Sequence, residues 1–158
     1  MAGPATGADL LNAIVGASPG SPLAALRAQR PEILRHTQGS HDVLLSPQDP
    51  GGLSLAERAL VARRAAEFSS HAALTAHYQA LLDARGTPSA DARTAAILAH
   101  AERLATVPGS ATKAHLAALG AAGLNSRDIV ALTQLVAFVA YQVRVAVGLS
   151  LLAQDIAA

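Results

Sequence analysis

From Asp9 to Ala153, apolar residues recur every three or four positions, the spacing of one helix face, and the alternation that marks a strand is nearly absent. The breakers between these runs set the predicted elements. A short helix over residues 9–15 ends in Gly16-Ala17-Ser18-Pro19-Gly20-Ser21-Pro22, a stretch too rich in glycine and proline to stay helical. Helix resumes over 23–30, and Pro31 fits the first turn of another that runs to about Leu45. A second breaker, 46–52, separates this N-terminal arm (1–52) from the body (53–158).

Ser54-Leu55-Ala56-Glu57 matches a capping box, in which Ser54 and Glu57 each satisfy a free amide of the other, so a helix starts there. Its pattern extends, with or without a kink, through Phe68 and Leu74 to about Ala84, and Gly86 ends it. Thr87-Pro88 predicts the cap of the next helix, closed by Pro108-Gly109, and Ser110 predicts the cap of a short one. Asn125 opens the last helix, with Asp128 set favourably against its dipole. There Ile129, Leu132, Val136, Val139 and Val143 form one stripe, while Leu135, Phe138, Val145, Leu149 and Leu152 cover much of the remainder. A helix apolar on most sides must be buried on most sides, which predicts either a central position or cover by a second subunit. The expectation is an all-α fold that forms homo-oligomers through the C-terminal helix.

Composition narrows the chemistry. The 158 residues are 51% hydrophobic but only 3% aromatic and contain no cysteine, which removes disulfides, thiolate metal sites and cysteine redox cycles. A net charge of +1, with basic residues scattered and not interleaved with aromatics, predicts no nucleic-acid binding. The N-terminus has no basic segment before its short apolar stretch, so no secretory signal is expected. Gln134, Gln142 and Arg144 interrupt the last helix short of the roughly 20 apolar residues of a membrane span. The expectation is a cytoplasmic protein, off the membrane.

Candidate site residues cluster in Glu67-Phe68-Ser69-Ser70-His71-Ala72-Ala73-Leu74-Thr75-Ala76-His77. On a continuous helix Ser70, Ala73 and His77 share a face, and Glu67 and His71 form an i, i+4 pair on its neighbour. An unperturbed His77 would titrate near neutrality and suit proton transfer, against the plainer reading of a helix histidine bonded to a neighbour or to water. Glu67 and His71 supply at most two metal ligands where three or four are needed, so no metal is expected. Ser70 and His77 are about 10 Å apart along a helix, too far for a nucleophile and its base. Arg144 sits in the most apolar helix and must snorkel, pair or face a cavity, with Tyr141 and Gln142 as nearby polar groups. Arg63, Arg64, Arg93, Glu102, Arg103 and Lys113 read as solvated faces.

From Leu53 onward, the order of elements resembles the carboxymuconolactone decarboxylase and AhpD-like alkylhydroperoxidase superfamily. The resemblance rests on Leu53 to Ala66, Ser70 to His77, Ala92 to Val107, and the stretch Ala121-Ala122-Gly123-Leu124-Asn125-Ser126-Arg127-Asp128-Ile129-Val130 that opens a long apolar helix containing an arginine. It implies an AhpD-like helical bundle that assembles into homo-oligomers. In the thiol peroxidases of that superfamily two cysteines reduce peroxide, with a histidine and a glutamate handling protons. Here Ser70 and Ala73 match the cysteine positions, and His77 matches the histidine. Serine cannot cycle through sulfenic acid and disulfide, so thiol peroxidase chemistry is excluded. Glu57-Arg58 reverses the usual Arg-Glu order. Decarboxylase relatives protonate a carbanion or enol, which would call on His77 as proton donor and Arg144 as carboxylate partner.

The expected function is a cofactor-free AhpD-like protein binding a small acidic or apolar molecule near His77, or one with a vestigial pocket. The candidate catalytic residues are His77, Ser70 and Glu67, and the candidate ligand-binding residues are Arg144 and Tyr141. Two alternatives stand beside it: a decarboxylase-type enzyme using His77 as acid/base, and a structural or interaction oligomer whose arm docks on a partner.

Overall fold

A computed structural model describes residues 9–157, which hold eight α-helices, one 3-10 turn and no strand. The helices are α1 (Leu10–Ile14), α2 (Pro22–Ala28), α3 (Pro31–Leu45), α4 (Leu55–Phe68), α5 (Ala72–Arg85), α6 (Ala92–Thr106), α7 (Lys113–Ala121) and α8 (Ser126–Ala157), with the 3-10 turn at Pro108–Ser110. The all-α expectation holds. Capping at α4 is as the sequence predicts: the Ser54 hydroxyl accepts from Glu57 N at 3.2 Å, and Glu57 accepts from Ser54 N at 2.8 Å. Asn125 and Asp128 form an equivalent reciprocal pair at the start of α8.

Two caps differ from expectation. Asp91, not Thr87, caps α6, accepting from Thr94 N at 2.8 Å, because a charged carboxylate satisfies the free amide and meets the helix dipole together. Ser110 closes the 3-10 turn by donating its hydroxyl to Val107 O, and α7 starts after Thr112 instead.

The larger difference is a break between α4 and α5. Ser70 N donates to Glu67 O at 2.9 Å and His71 N to Ala66 O at 3.2 Å, the paired bonds of a Schellman motif. Ser70 holds the left-handed position at φ 54°, where glycine is the usual residue. His71 then caps α5 by accepting from Leu74 N at 3.3 Å.

The chain divides into two compact units, one formed by residues up to Ser40 with those from Arg144 onward, the other by His41–Val143. The boundary between arm and body at residues 52/53 rests on sequence composition. In the first unit Arg27 bonds Asp9 at 2.7 Å and also Asn12, Leu10 N donates to Gln38 at 3.1 Å, and Leu11 and Leu23 are buried. In the second, α4 packs on α5 and α6, and α6 on α7. Its core draws Val61, Ala62, Ala65 and Ala66 from α4, Leu74 and Leu82 from α5, Ile97 and Ala101 from α6, and Leu132, Leu135, Val136 and Val139 from α8.

By length and composition α8 could cross a membrane, and a third of its most apolar window is buried within the protein. Its outer side exposes Val130, Tyr141, Val147, Leu151 and Leu152.

Candidate functional site

The break before α5 separates residues that a continuous helix would have aligned. Ser70 lies between the helices and is exposed, as is Ala73. Glu67 is exposed on α4 and pairs with Arg64 at 2.7 Å and Arg63 at 3.3 Å, not with His71, which has left that helix to cap the next. Glu67, Ser70, Arg63, Thr75 and Gln79 line a shallow open depression of about 480 Å³. Arginine cover makes the Glu67 carboxylate one half of a surface ion pair, and the neighbouring His71 turns its Nδ1 to Leu74 N and not to the Ser70 hydroxyl.

His77 takes part in a different assembly. Its ring centroid lies 5.0 Å from the Tyr78 ring in an edge-on arrangement and 5.7 Å from the His41 ring, while His41 stacks on Tyr78 at 6.3 Å. Tyr78 has no solvent exposure and donates its hydroxyl to the Gln142 side-chain oxygen, itself 1% exposed. Two polar atoms in this cluster are buried without a hydrogen-bond partner: His77 Nε2 and Gln142 Nε2. An unpaired buried donor or acceptor costs about 1–3 kcal/mol. Burial, and then the neighbouring His41, hold the His77 imidazole below its ordinary value, so at neutral pH it is uncharged and carries one bare ring nitrogen. Burial raises the Tyr78 hydroxyl well above its ordinary value against the lowering effect of its bond to Gln142, and it stays protonated. The cluster therefore holds an amide N–H of Gln142 and a neutral imidazole nitrogen of His77 as unused hydrogen-bonding capacity.

Arg144 is exposed on α8, which realises the snorkelling option of the sequence reading. Tyr141, 38% exposed, stacks on Phe138 with centroids 6.1 Å apart. Among the described residues, no group of three or more His, Asp or Glu side chains is placed to hold a metal ion.

Sequence reasoning missed His41 and Tyr78 and took Gln142 only as a polar group near Arg144. A tyrosine beside His77 in a chain with two tyrosines, and a glutamine inside its most apolar helix, were the available signals. Arg93 was also misplaced, and the sequence reading assigned Arg58 no partner. Arg58, 4% exposed, donates Nε to Leu53 O at 2.9 Å, Nη1 to Leu44 O at 2.7 Å and Nη2 to Pro50 O at 3.0 Å. Arg93, expected on a solvated face, bonds Glu57 at 2.7 Å and Ala122 O at 3.1 Å. Burial raises the Glu57 carboxyl, but Arg93 and the capping bonds to Ser54 outweigh it and leave it below the ordinary value. Asp128 accepts from Gly52 N at 2.8 Å, where any Cβ would collide with its carboxylate.

No family model and no curated protein matches the sequence. Among solved structures, the chain is similar to an uncharacterized peroxidase-related protein from Silicibacter sp. TM1040, with 23% identity and a TM-score of 0.57 over 74% of this chain and 68% of that one. The likeness shows a shared helical fold.

Proposed function

We propose that this chain is a cysteine-free variant of the peroxidase-related helical fold that binds a small, largely apolar molecule carrying a carbonyl, hydroxyl or carboxyl group beside His77. The observation that carries the reading is the pair of buried, unpartnered atoms, His77 Nε2 and Gln142 Nε2, around the Tyr78 hydroxyl. Natural proteins pair nearly all such atoms, and an exception in a polar cluster is a place where a ligand atom or bound water completes the set. The absence of cysteine means the reading includes no thiol peroxidase cycle. We expect no thiol-dependent turnover of organic peroxides, and turnover abolished by Ser70→Ala would contradict this.

The test is a panel of short-chain and aromatic carboxylic acids and alcohols, followed by melting temperature and by the emission of the two tyrosines, which no tryptophan masks. At least one probe should raise the melting temperature of the wild type and quench or enhance tyrosine emission, and His77→Ala should remove both effects. A response that survives His77→Ala would place binding elsewhere.

The decarboxylase-type alternative needs His77 to deliver a proton, and a neutral imidazole held below its ordinary pKa does this poorly at pH 7. We further propose a homo-oligomer that covers the exposed apolar side of α8, supported by Val130, Val147 and Leu151, in a soluble cytoplasmic protein. Val147→Glu with Leu151→Glu should lower the solution mass by light scattering, and an unchanged mass opposes it.

A further inference from the structure

A second histidine site lies away from the His77 cluster. His100, on α6, is 5% exposed, and both of its ring nitrogens are buried without a hydrogen-bond partner. Beside it is a partly open hollow of about 80 Å³ between α6 and α7, lined by Ala96, Ala99, His100 and Arg103 from α6 and by His115 and Ala118 from α7. Its cause is local: Ala96 and Ala99, one turn apart on α6, and Ala118 on α7 leave space that larger side chains would fill.

We propose that this hollow binds a small oxyanion of the phosphate or bicarbonate class. The donors suit such an ion. Arg103 makes no ion pair among the described residues, so its guanidinium charge is uncompensated at the rim. Thr112 N donates to His115 Nδ1 at 3.0 Å, which in the neutral ring fixes the proton on Nε2 and makes that atom a donor. His100 is held neutral by burial, then by Arg103 and His115, and so presents one N–H and one bare nitrogen. The two ring nitrogens of His100 face opposite edges of the imidazole, so a small ion meets one of them, and its oxygens can accept from the His100 N–H, from His115 and from Arg103.

Size sets the upper limit. Liquid water occupies roughly 30 Å³ per molecule, so the hollow takes an ion of a few heavy atoms and not a sugar or a base. A metal ion is a poorer fit, because two histidines beside an arginine supply too few ligands and a repelling charge. The site shares no residue with the His77 cluster, so either can fail without the other.

The experiment follows the histidine ring nitrogens by NMR while inorganic phosphate is added to the full chain at constant pH and ionic strength, with chloride as the balancing ion. Phosphate should shift the His100 resonances saturably, chloride alone should not, and Arg103→Gln should raise the apparent Kd at least about tenfold while the helical circular dichroism is unchanged. His115→Gln should weaken binding by a smaller factor. His100 resonances that ignore phosphate, a shift that Arg103→Gln leaves intact, or a shift produced by Zn²⁺ and not by phosphate would each overturn the proposal.

Discussion

Two polar regions of the His41–Val143 unit are buried to a similar degree and built on opposite principles. At the start of α4, every donor of the Arg58 guanidinium that is described points at a carbonyl of the 44–53 connection, Glu57 is shared between Ser54 and Arg93, and Asp128 holds Gly52. Around Tyr78, one hydroxyl finds one amide oxygen, and Nε2 of His77 and Nε2 of Gln142 find nothing. The first region spends its polar groups on closing a proline- and glycine-rich loop that has no ladder of its own. The second leaves bonding capacity in reserve. A buried polar group that is satisfied explains its own presence, whereas one that is not calls for something from outside the chain.

This contrast can be broken by mutation. Arg58→Ala removes a buried cation and leaves three carbonyls short of donors, and should cost about 3–5 kcal/mol in urea denaturation. A loss below about 1 kcal/mol would mean the loop closes without it. The Tyr78 cluster should behave otherwise. Tyr78→Phe alone should cost about 1–2 kcal/mol because it leaves the Gln142 oxygen unpaired, but the double variant Tyr78→Phe with Gln142→Leu should recover most of that loss, since it removes the unpaired atoms as well. Strictly additive losses in that cycle would show that the cluster is a structural network like the first.

Acid sharpens the same contrast. His77 and His100 have folded pKa values below 6.5, each chiefly through burial, so in the window below 6.5 the unfolded chain binds protons that the folded protein refuses. Stability is therefore full above that pH and falls as pH drops through the window, by an amount on the order of 1 kcal/mol for each unit of lowering. Glu57 acts lower on the scale: its depressed carboxyl contributes stability above 4.5 that is lost as pH falls through its folded value. Urea midpoints measured across these two windows should show two separate losses, and His77→Gln should reduce the upper one alone. The smallest expected effect is at the α4–α5 break, where Ser70→Gly relieves a left-handed serine and should stabilise by about 0.5–1 kcal/mol. A destabilising Ser70→Gly would mean the serine side chain contributes more than its backbone costs.

The legible part of the fold was what local chemistry writes: the Ser54-Glu57 cap, the Asn125 cap, the Gly86 stop and the α8 stripe of Leu132, Val136, Val139 and Val143 appear in the structure as the pattern predicts, while Leu152 of the second apolar set is exposed. The α4–α5 break was not legible, because a Schellman ending normally announces itself with glycine and here carries Ser70, inside a run whose helical period continues across it. His77 was visible as a candidate, but the groups that give it an environment come from far along the chain. His41 is contributed by the end of α3, and Gln142 reaches Tyr78 across 64 positions. Such pairings depend on packing, which a one-dimensional pattern does not encode. Arg93 was misjudged for the same reason: a lone arginine near a helix start reads as solvated until the turn at Ala122 is folded against it.

The most direct measurement is a high-resolution crystal structure of protein purified without added ligands, inspected beside His77 and Gln142. The account predicts density for a small molecule or ordered water within hydrogen-bond distance of His77 Nε2 and of Gln142 Nε2. If side chains alone fill that space and both atoms remain unpaired against carbon, the cluster is not a binding site and the functional reading fails.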